Sequence, residues 1–355
     1  MKKSFFIFLP SLEIGGAEKM MLMTAKALSK RFEVSLVLVN SKGNLKKRLN
    51  SSYKIVDFNK SRIRFSLMSI VKLIFTQRPD YILSTHHSLN VFLIAIRKIH
   101  NGKTIVRLTN HIHRTDSDTE RFKDKLFTLI YKYFYKRAPN IISQCYDMSI
   151  SLSNYIGISQ DRFHVIYNAV DERCINLGNE KPEELSNNIN IVSVGNLRFR
   201  KGHDILIKAL YKIKEHSNIK FKCFIIGEGD YRNTLENLIK DFNLDDEVFL
   251  TGQKNNVSAY LEHADLFVIP SRSEGFANAL LEAKYFNLKS ISSDCDFGMR
   301  EINSLTVNSY MFGSENVEEL ASLIQIVLDA KKEPMKNFAF NFESFEKNII
   351  NYIDN

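Results

Sequence analysis

The stretch PSRSEGFANALLEA, at residues 270–283, carries two glutamates eight positions apart. The apolar run from Leu266 to Pro270 predicts a buried strand, and the alanines and leucines from Phe276 onward predict a helix. Glu274 would then lie just before the helix N-terminus, and Glu282 about two turns inside the helix. Singly, the two residues are explained as an ordinary helix cap and a solvated helix face. Carboxylates at a strand end can also accept hydrogen bonds from sugar hydroxyl groups.

A cationic turn lies upstream, in VGNLRFRKGHDILIKAL at residues 194–210. Arg198, Arg200 and Lys201 are crowded between two glycines, where a strand is predicted to give way to a helix. Positive charges at a helix N-terminus oppose the helix dipole, so a bound anion explains them better than a solvated basic loop does. The turn is therefore interpreted as an anion site.

Two glycine turns accompany it. IGGAEK places Gly15 and Gly16 between the first strand and a helix, where backbone N–H groups could face an anion, although a glycine turn without a ligand explains them equally well. IIGEGDYRNTLE places Gly227 and Glu228 after a later strand. Because it lacks a third glycine, this turn is a weak dinucleotide signature, but a base or ribose could approach its backbone.

A nucleotide diphosphate-sugar fits these turns together. Such a molecule has an anionic centre between two polyhydroxylated rings, so it requires cations and backbone N–H groups at the phosphates and carboxylates at the hydroxyls. The cationic turn and the two glutamates supply both kinds of group at the edge of one predicted sheet. The sequence therefore predicts a nucleotide-sugar site.

Buried-strand runs alternate with amphipathic stretches along the chain, a pattern typical of parallel sheets covered by helices on both faces. With 355 residues, 44% of them hydrophobic, the chain can build two cores. We expect two facing, doubly wound α/β domains at residues 1–171 and 189–335, joined by a linker at 172–188. A helical segment at 336–355 could cap either domain, including by crossing back to the first. Ligands of open parallel sheets bind beyond the strands' carboxyl ends, so the cleft between the domains is the expected site.

The start of the chain and the cysteines indicate a cytoplasmic protein. The apolar run from Phe5 to Leu9 follows two lysines but is too short for a signal peptide, so a buried first strand explains it better. No apolar run reaches the ~18 residues of a spanning helix. Four cysteines show no metal-ligating or paired spacing and are interpreted as reduced, buried thiols; they are Cys145, Cys174, Cys223 and Cys295.

Charge is divided unevenly along the sequence. Residues 1–170 carry 28 Lys and Arg against 11 Asp and Glu, whereas the remainder carries 21 against 29. Within the basic half, RFKDKLFTLIYKYFYKR at 121–137 predicts a helix with basic residues around an apolar face. That face is either an ordinary core face or a contact with an anionic bilayer; it comprises Phe122, Leu126, Leu129, Ile130, Tyr133 and Phe134.

These motifs resemble the retaining glycosyltransferases of family 4, which have the two-Rossmann-domain GT-B fold. The resemblance covers most of the chain. It runs in family order through GGAEK, VIYNAVD, the cationic turn, IIGEGDYRNTLE, the segment from LTGQKNNVSAYLEHADL to PSRSEGFANALLEA, and SSDCDFGMREI. The most specific element is the pair of glutamates within PSRSEGFANALLEA, whereas the GGAE turn alone is common.

The resemblance implies roles for individual residues. Lys201 would bind the donor diphosphate, Glu274 the donor sugar, and Glu282 the ribose hydroxyls. The implied catalytic residues are Glu274, His111 and Lys201. The implied donor-binding residues are Gly15, Gly16, Asn196, Arg198, Lys201, Gly227, Glu228, Glu274, Gly275, Phe276, Ala277 and Glu282.

Three departures from the family pattern accompany the match. Asn196 stands where the family usually has arginine, and Arg198 is a candidate to replace that charge. In RLTNHIHR, the position of the family's N-domain histidine could be Thr109, Asn110 or His111. The glycine-containing loop expected after REI is shortened to NSLTVNSYMF.

The predicted reaction moves a hexose or N-acetylhexosamine, from a UDP-sugar in the first instance, to a lipid-linked or lipopolysaccharide glycan. No metal or other cofactor is expected, since Asp294 and Asp296 are the nearest approach to an acidic metal pair. Retention of anomeric configuration follows from the resemblance alone. The anionic inner face of the cytoplasmic membrane is the expected location. The alternatives are a GT-B sugar-nucleotide epimerase and a nucleic-acid-binding protein, for which no recognised module is present.

Overall fold

The computed structural model describes residues 2–13, 15–109, 122–172, 175, 178–185, 188–295, 297–335 and 337–354, with the side chains of 122–126 left out. The described chain forms two compact units. The first unit comprises Met1–Ala169 and Phe342–Asn355, and the second comprises Val170–Asn341.

Each unit is built on one parallel sheet. The strands of the first sheet lie in the order β3-β2-β1-β4-β5-β6-β7; they are β1 Ser4–Leu9, β2 Glu33–Leu38, β3 Lys54–Asp57, β4 Tyr81–Ser84, β5 Lys103–Arg107, β6 Asn140–Ser143 and β7 Phe163–Val165. The second sheet has the order β10-β9-β8-β11-β12-β13; its strands are β8 Ile189–Val194, β9 Phe221–Ile226, β10 Val248–Gly252, β11 Leu266–Ile269, β12 Ser290–Asp294 and β13 Ser309–Gly313. The predicted pair of doubly wound α/β domains is confirmed.

Of the helices that the structure describes, the first ten connect successive strands, as parallel pairing requires, and the last two follow the final strand. Those of the first unit are α1 Gly16–Leu28, α2 Leu67–Gln77, α3 His87–Ile96, α4 Phe122–Tyr135 and α5 Tyr146–Ile156. The helices of the second unit are α6 His203–His216, α7 Arg232–Asp241, α8 Val257–His263, α9 Asn278–Tyr285, α10 Met299–Ser304 and α11 Val317–Asp329. The last helix, α12 Phe342–Asp354, belongs to the first unit. Among the described residues, no helix combines the length and apolar character needed to cross a membrane.

Both faces of the first sheet are covered. On one face, α1 and α12 pack together, with Phe342, Phe345 and Ile349 of α12 buried among the methionines of α1. On the other face, α2 and α3 pack on Phe6 and Phe8 of β1. The apolar residues of α12 therefore belong to the first core, although the segment directly before α12, Val170–Asn341, belongs to the second unit.

The polar stretch 172–188, expected to be a linker, groups with the second unit. The backbone N–H groups of Gly178 and Asn179 donate to the Glu262 carboxylate on α8, at 2.8 and 3.1 Å. Polar side chains hold this stretch, which explains why its sequence lacks an apolar periodicity.

Three of the cysteines, Cys145, Cys223 and Cys295, are buried and form no disulfide among the described residues, and Cys174 lies outside those residues. Two short strands were not predicted. The residues of β3 are almost all exposed, so they show no apolar pattern, and β13 occupies the segment interpreted as a shortened loop.

Lys284 is a buried cation that fastens α9 to the beginning of β13. Its side chain is 1% exposed, and its ammonium donates to the carbonyl oxygens of Val307 and Asn308, at 3.0 and 2.6 Å. Burial lowers the pKa of Lys284 to about 7. The folded protein therefore holds this proton less tightly than the unfolded chain does.

This difference predicts a pH-dependent stability between pH 7 and the ordinary lysine pKa near 10.5. The unfolded state binds more protons in that window, so the stability of wild type relative to Lys284→Met should rise by up to about 1.4 kcal/mol per pH unit. Denaturant midpoints of both proteins from pH 7 to 10 measure the slope. The exposed Lys240→Met is the control, and an equally flat difference for both variants would contradict the prediction.

Candidate active site

Three strand-to-helix turns meet at the carboxyl edge of the second sheet, after β8, β9 and β11. Backbone hydrogen bonds join them. The Leu197 N–H donates to the Glu228 carbonyl at 2.9 Å, and the Arg272 N–H donates to the Arg200 carbonyl at 2.8 Å. The predicted anion turn and the predicted glutamate turn are thus neighbours, as expected for the ligand edge of a parallel sheet.

Glu274 is the centre of this edge and is only 7% exposed. Its Oε1 accepts a hydrogen bond from the Lys201 ammonium and another from the Ser271 hydroxyl, at 2.8 Å for the latter. Its Oε2 lies 3.5 Å from the Arg200 guanidinium, which also donates to the Ser273 carbonyl. Residues far apart in sequence thus form one compact charged cluster.

The charge state of Glu274 follows from these contacts. Burial by itself would raise its pKa, but Lys201 and Arg200, with the hydrogen bonds from Lys201 and Ser271, hold the pKa below the ordinary value. The carboxylate is therefore ionised at neutral pH and can only accept hydrogen bonds. Two cations against one carboxylate leave the cluster with a positive charge, which suits an anionic ligand.

Arg272 holds the cationic turn in place. Its guanidinium makes a bidentate pair with Asp204 of α6, with both distances 2.8 Å, and donates to the Phe199 carbonyl at 2.7 Å. It also lies over the Phe199 ring, 3.8 Å from the centroid, and reaches Glu315 at 2.9 Å. Because this one side chain contacts both ends of the turn, it fixes the direction in which Arg200 and Lys201 project.

Gly202 lets the two turns come together. It has φ +67°, and a Cβ there would overlap the Pro270 carbonyl oxygen. The next residue, His203, is buried, and burial, assisted by Lys201, lowers its pKa to about 3. His203 is thus neutral, and the positive charge of this edge comes from Lys201 and Arg200.

The β9 turn packs closely on the β8 turn. Gly227 has φ +154°, and a Cβ there would overlap the Gly195 carbonyl oxygen, so this glycine is required for packing whether or not a ligand is bound. Glu228 is exposed and pairs with Arg232, at 2.8 Å. The structure therefore gives Gly227 a packing role and leaves Glu228 at the surface.

The helix after Glu274 begins later than predicted, at Asn278 instead of Phe276. Gly275, Phe276 and Ala277 are buried between the glutamate and the helix. In this segment the Phe276 ring packs on Phe340, with centroids 5.8 Å apart. Glu282 is consequently about one turn inside α9 and is half-buried.

The other predicted site residues are less clustered. Asn196 and Arg198 are exposed on the β8 turn, and the arginine beside Glu274 is Arg200. Asn110 and His111 lie outside the described residues, and Thr109 is half-buried. Among the described residues, Asp294 pairs with Arg300 at 2.7 and 2.8 Å, and Asp296 is not described.

The glycine turn of the first unit ends at the N-terminus of α1, which begins at Gly16. A Cβ on Gly15 would overlap the carboxylate of Glu18. Burial raises the pKa of Glu18. An anion bound at this helix end would therefore have to displace the Glu18 side chain.

Sequence reasoning left out the residues that arrange the cluster: Ser271, Arg272 and Asp204. Ser271 and Arg272 stand inside the same PSRSE segment, three and two residues before Glu274, and this was the available signal. Asp204 gave none, because an aspartate in a first helical turn is ordinarily explained by the helix dipole.

Two Rossmann-like sheets in one chain, with a cationic turn against an acidic one at the edge of the second, define a GT-B type glycosyltransferase. Comparison with known families agrees. Residues 179–341 match the model described as glycosyl transferases group 1, and residues 14–173 match the model described as glycosyltransferase family 4. The chain is therefore a GT-B type glycosyltransferase.

Sequence identity with individual relatives is about a third or lower. An uncharacterized glycosyltransferase of Methanocaldococcus jannaschii is 32% identical over 66% of this chain and 60% of its own length. The N-acetylgalactosamine-N,N'-diacetylbacillosaminyl-diphospho-undecaprenol 4-alpha-N-acetylgalactosaminyltransferase of Campylobacter jejuni is 29% identical over 83% of this chain and 82% of its own length. Among solved structures, Anabaena HepE in complex with UDP and glucose aligns over 100% of both chains, with a TM-score of 0.82 and 19% identity.

The close approach of the two turns predicts that Gly202→Ala is strongly destabilising. The substitution places a side chain in the left-handed region and against the Pro270 carbonyl, so we expect a loss of about 3 kcal/mol in the free energy of unfolding. Gly178→Ala is the matched control, because Gly178 has φ +70° with nothing within 4 Å of its Cβ position. Its cost should be about 1 kcal/mol. Equal denaturation midpoints for the two variants would contradict the packing argument.

Proposed function

We propose that the protein transfers a hexose or N-acetylhexosamine from a UDP-sugar to a lipid-linked or lipopolysaccharide glycan, with retention of configuration and without a metal. The observation that carries the proposal is the contact of Glu274 with Lys201 and Arg200 at the ligand edge of the second sheet. The cluster's cations suit the diphosphate and its carboxylate suits the sugar, while Glu282 is assigned to the ribose.

The cationic side of the cluster stabilises the leaving diphosphate. Lys201 and Arg200 project from a turn that Arg272 fixes, so their charges are already in place when the phosphates bind. Preorganised positive charge directed at a developing anion is the main way in which such a site lowers a barrier. Two cations supply in this way the charge that a metal ion supplies in other transferases.

The acidic side holds the sugar and the ribose. Glu274 is ionised, so its Oε2, which faces Arg200 at 3.5 Å, can accept a hydrogen bond from a sugar hydroxyl. Glu282, about one turn inside α9, accepts the ribose hydroxyls. The glutamates thus bind two ends of one donor and are not an acid and base pair.

The relatives support the choice of substrates. The Campylobacter enzyme is named for a diphospho-undecaprenol acceptor, and Anabaena HepE was solved with UDP and glucose. A capsular polysaccharide biosynthesis glycosyltransferase, CapH of Staphylococcus aureus, is 26% identical over 90% of this chain. These names favour sugar transfer over the epimerisation alternative, and retention rests on the family resemblance.

Two substitutions separate the proposed roles of the glutamates. Glu282→Ala should weaken nucleotide binding itself by about tenfold, because ribose loses a charge-assisted partner. Glu274→Gln should lower the transfer rate by about 100-fold with little change in nucleotide binding. Thermal-shift titrations with UDP-, GDP- and ADP-sugars measure binding, and release of nucleotide diphosphate with a glycan acceptor measures transfer. A folded wild type that responds to none of these sugars would overturn the proposed function.

The basic first unit is proposed to bring the enzyme to an anionic membrane. Its residues, including α12, carry 29 Lys and Arg against 14 Asp and Glu. On α4, Tyr135 is buried against α3, where its hydroxyl contacts His87 and Asn90. Leu129 and Tyr133 are 65% and 53% exposed. One face of α4 thus packs on the domain, and the other presents apolar side chains beside basic ones, which suits a bilayer interface.

The double variant Leu129→Ser/Tyr133→Ser is therefore expected to reduce binding to phosphatidylglycerol vesicles about tenfold at low salt. Ile326→Ser is the matched control, because Ile326 is 63% exposed but lies on α11 of the acidic unit. Vesicle flotation measures the bound fraction. A wild type that stays unbound at low salt, or a control that falls equally, would contradict membrane docking through α4.

A further inference from the structure

The first unit contains a separate cavity that no part of the proposed donor site uses. Its volume is about 600 Å³, and it lies beyond the carboxyl ends of β1 and β2. The walls come from the segments after β1, β2 and β3 and from the first turn of α3. Residues after β1 and β4, the neighbouring strands where the strand order reverses, both contribute. This edge is where open parallel sheets ordinarily bind ligands.

Two arginines give the cavity its charge. Arg62 and Arg64 line it together with a single carboxylate, Glu13. Within the described part of the chain, neither guanidinium pairs with a carboxylate. Residues 58–79 hold five basic residues and no acidic ones. Two planar guanidinium groups against one carboxylate leave a positive pocket, and guanidinium groups bind phosphate oxygens in pairs.

Hydroxyl groups complete the lining. Ser11, Ser61 and Ser88 come from three different segments and face the same cavity. Each hydroxyl can donate to a phosphate oxygen and accept from a sugar hydroxyl. The cavity therefore has the groups needed to hold a phosphate ester, whereas a purely apolar ligand would leave them unpaired.

An apolar stripe leads away from the arginines along α2. Phe65 and Met68 are 53% and 79% exposed, and Phe75 is exposed further along the helix. Phe65 ends the 3-10 turn just before α2, and Met68 and Phe75, seven residues apart, lie on one face of α2. The Arg64 guanidinium lies 4.7 Å from the centroid of the Phe65 ring, so the charged pocket and the stripe are continuous. On α2 the stripe runs about 10 Å, from Met68 to Phe75.

We propose that Arg62 and Arg64 bind the phosphate of a lipid, with its hydrocarbon chain along Phe65, Met68 and Phe75. The inference rests on the proposed function, in which the acceptor is carried by a lipid, and assigns that acceptor's phosphate to this pocket. A bilayer headgroup has the same chemistry as an acceptor diphosphate. Charge complementarity and the adjoining apolar stripe together select an amphiphile over a soluble anion.

The test uses the full chain and the soluble probe farnesyl diphosphate, with a nucleotide diphosphate present to fill the donor site. Calorimetry should show about a tenfold loss of affinity for Arg62→Ala/Arg64→Ala, because two charge-assisted contacts disappear. Lys60→Ala/Arg78→Ala is the matched control. It removes the same charge from the same basic segment, outside the cavity lining. An equal loss in the control, or no loss in the pocket variant, would overturn the site.

Further arms separate the sources of phosphate. Met68→Ser should weaken binding of farnesyl diphosphate and leave binding of inorganic pyrophosphate unchanged. Equal effects on both probes would show that the hydrocarbon chain does not lie along the stripe. The pocket variant is also tested by flotation with phosphatidylglycerol vesicles. Loss of farnesyl diphosphate binding with vesicle binding unchanged supports the acceptor diphosphate, whereas an equal loss of both overturns that assignment in favour of a bilayer headgroup. Nucleotide-sugar titrations of wild type and the pocket variant run in parallel. Absent donor binding in wild type refutes the proposed function, whereas intact donor binding with an unaltered probe affinity refutes only the pocket.

Discussion

The ion pair between Glu274 and the cationic turn is the constraint on which the second unit's ligand edge depends. A carboxylate that is only 7% exposed must be compensated, and its own turn contributes a hydroxyl but no cation. The cations come from the turn after β8, so the β8 and β11 turns must touch. Removing both cations would leave a buried, uncompensated carboxylate, which is far more costly than the ion pair's net contribution to stability.

The surrounding residues satisfy the geometric demands of that contact. Gly202 permits the close approach because it has no Cβ and adopts a left-handed conformation. Arg272 then ties the cationic turn at both ends, through Asp204 and the Phe199 carbonyl. Because these contacts lie within the protein itself, they hold the cationic turn in one arrangement. A rigid cluster with excess positive charge is the economical solution for recognising a diphosphate.

The sequence predicted the sheets better than it predicted the cluster. The apolar runs from Phe5 to Leu9 and from Leu266 to Pro270 were predicted to be strands and form most of β1 and β11, because continuous buried apolar runs mark central strands. β3 carries no such run and was missed. Lys201 and Glu274 were selected, but their contact joins residues 73 positions apart and exists only after folding. Whether Arg198 or Arg200 faces the carboxylate is decided by a 3-10 turn at Phe199–Lys201, whose direction no local pattern encodes.

The two units differ in net charge, so short-range contacts and long-range attraction have to be considered separately. The second unit carries 20 Lys and Arg against 26 Asp and Glu, so its overall field repels a diphosphate. On the proposed function, donor recognition therefore depends on short contacts with Lys201 and Arg200, which salt screens weakly because they are partly buried. The proposed attraction of the basic first unit to an anionic surface acts over distances comparable with the Debye length of about 8 Å, so salt screens it strongly. On the proposed function, ionic strength would therefore weaken membrane contact and leave donor binding largely unchanged.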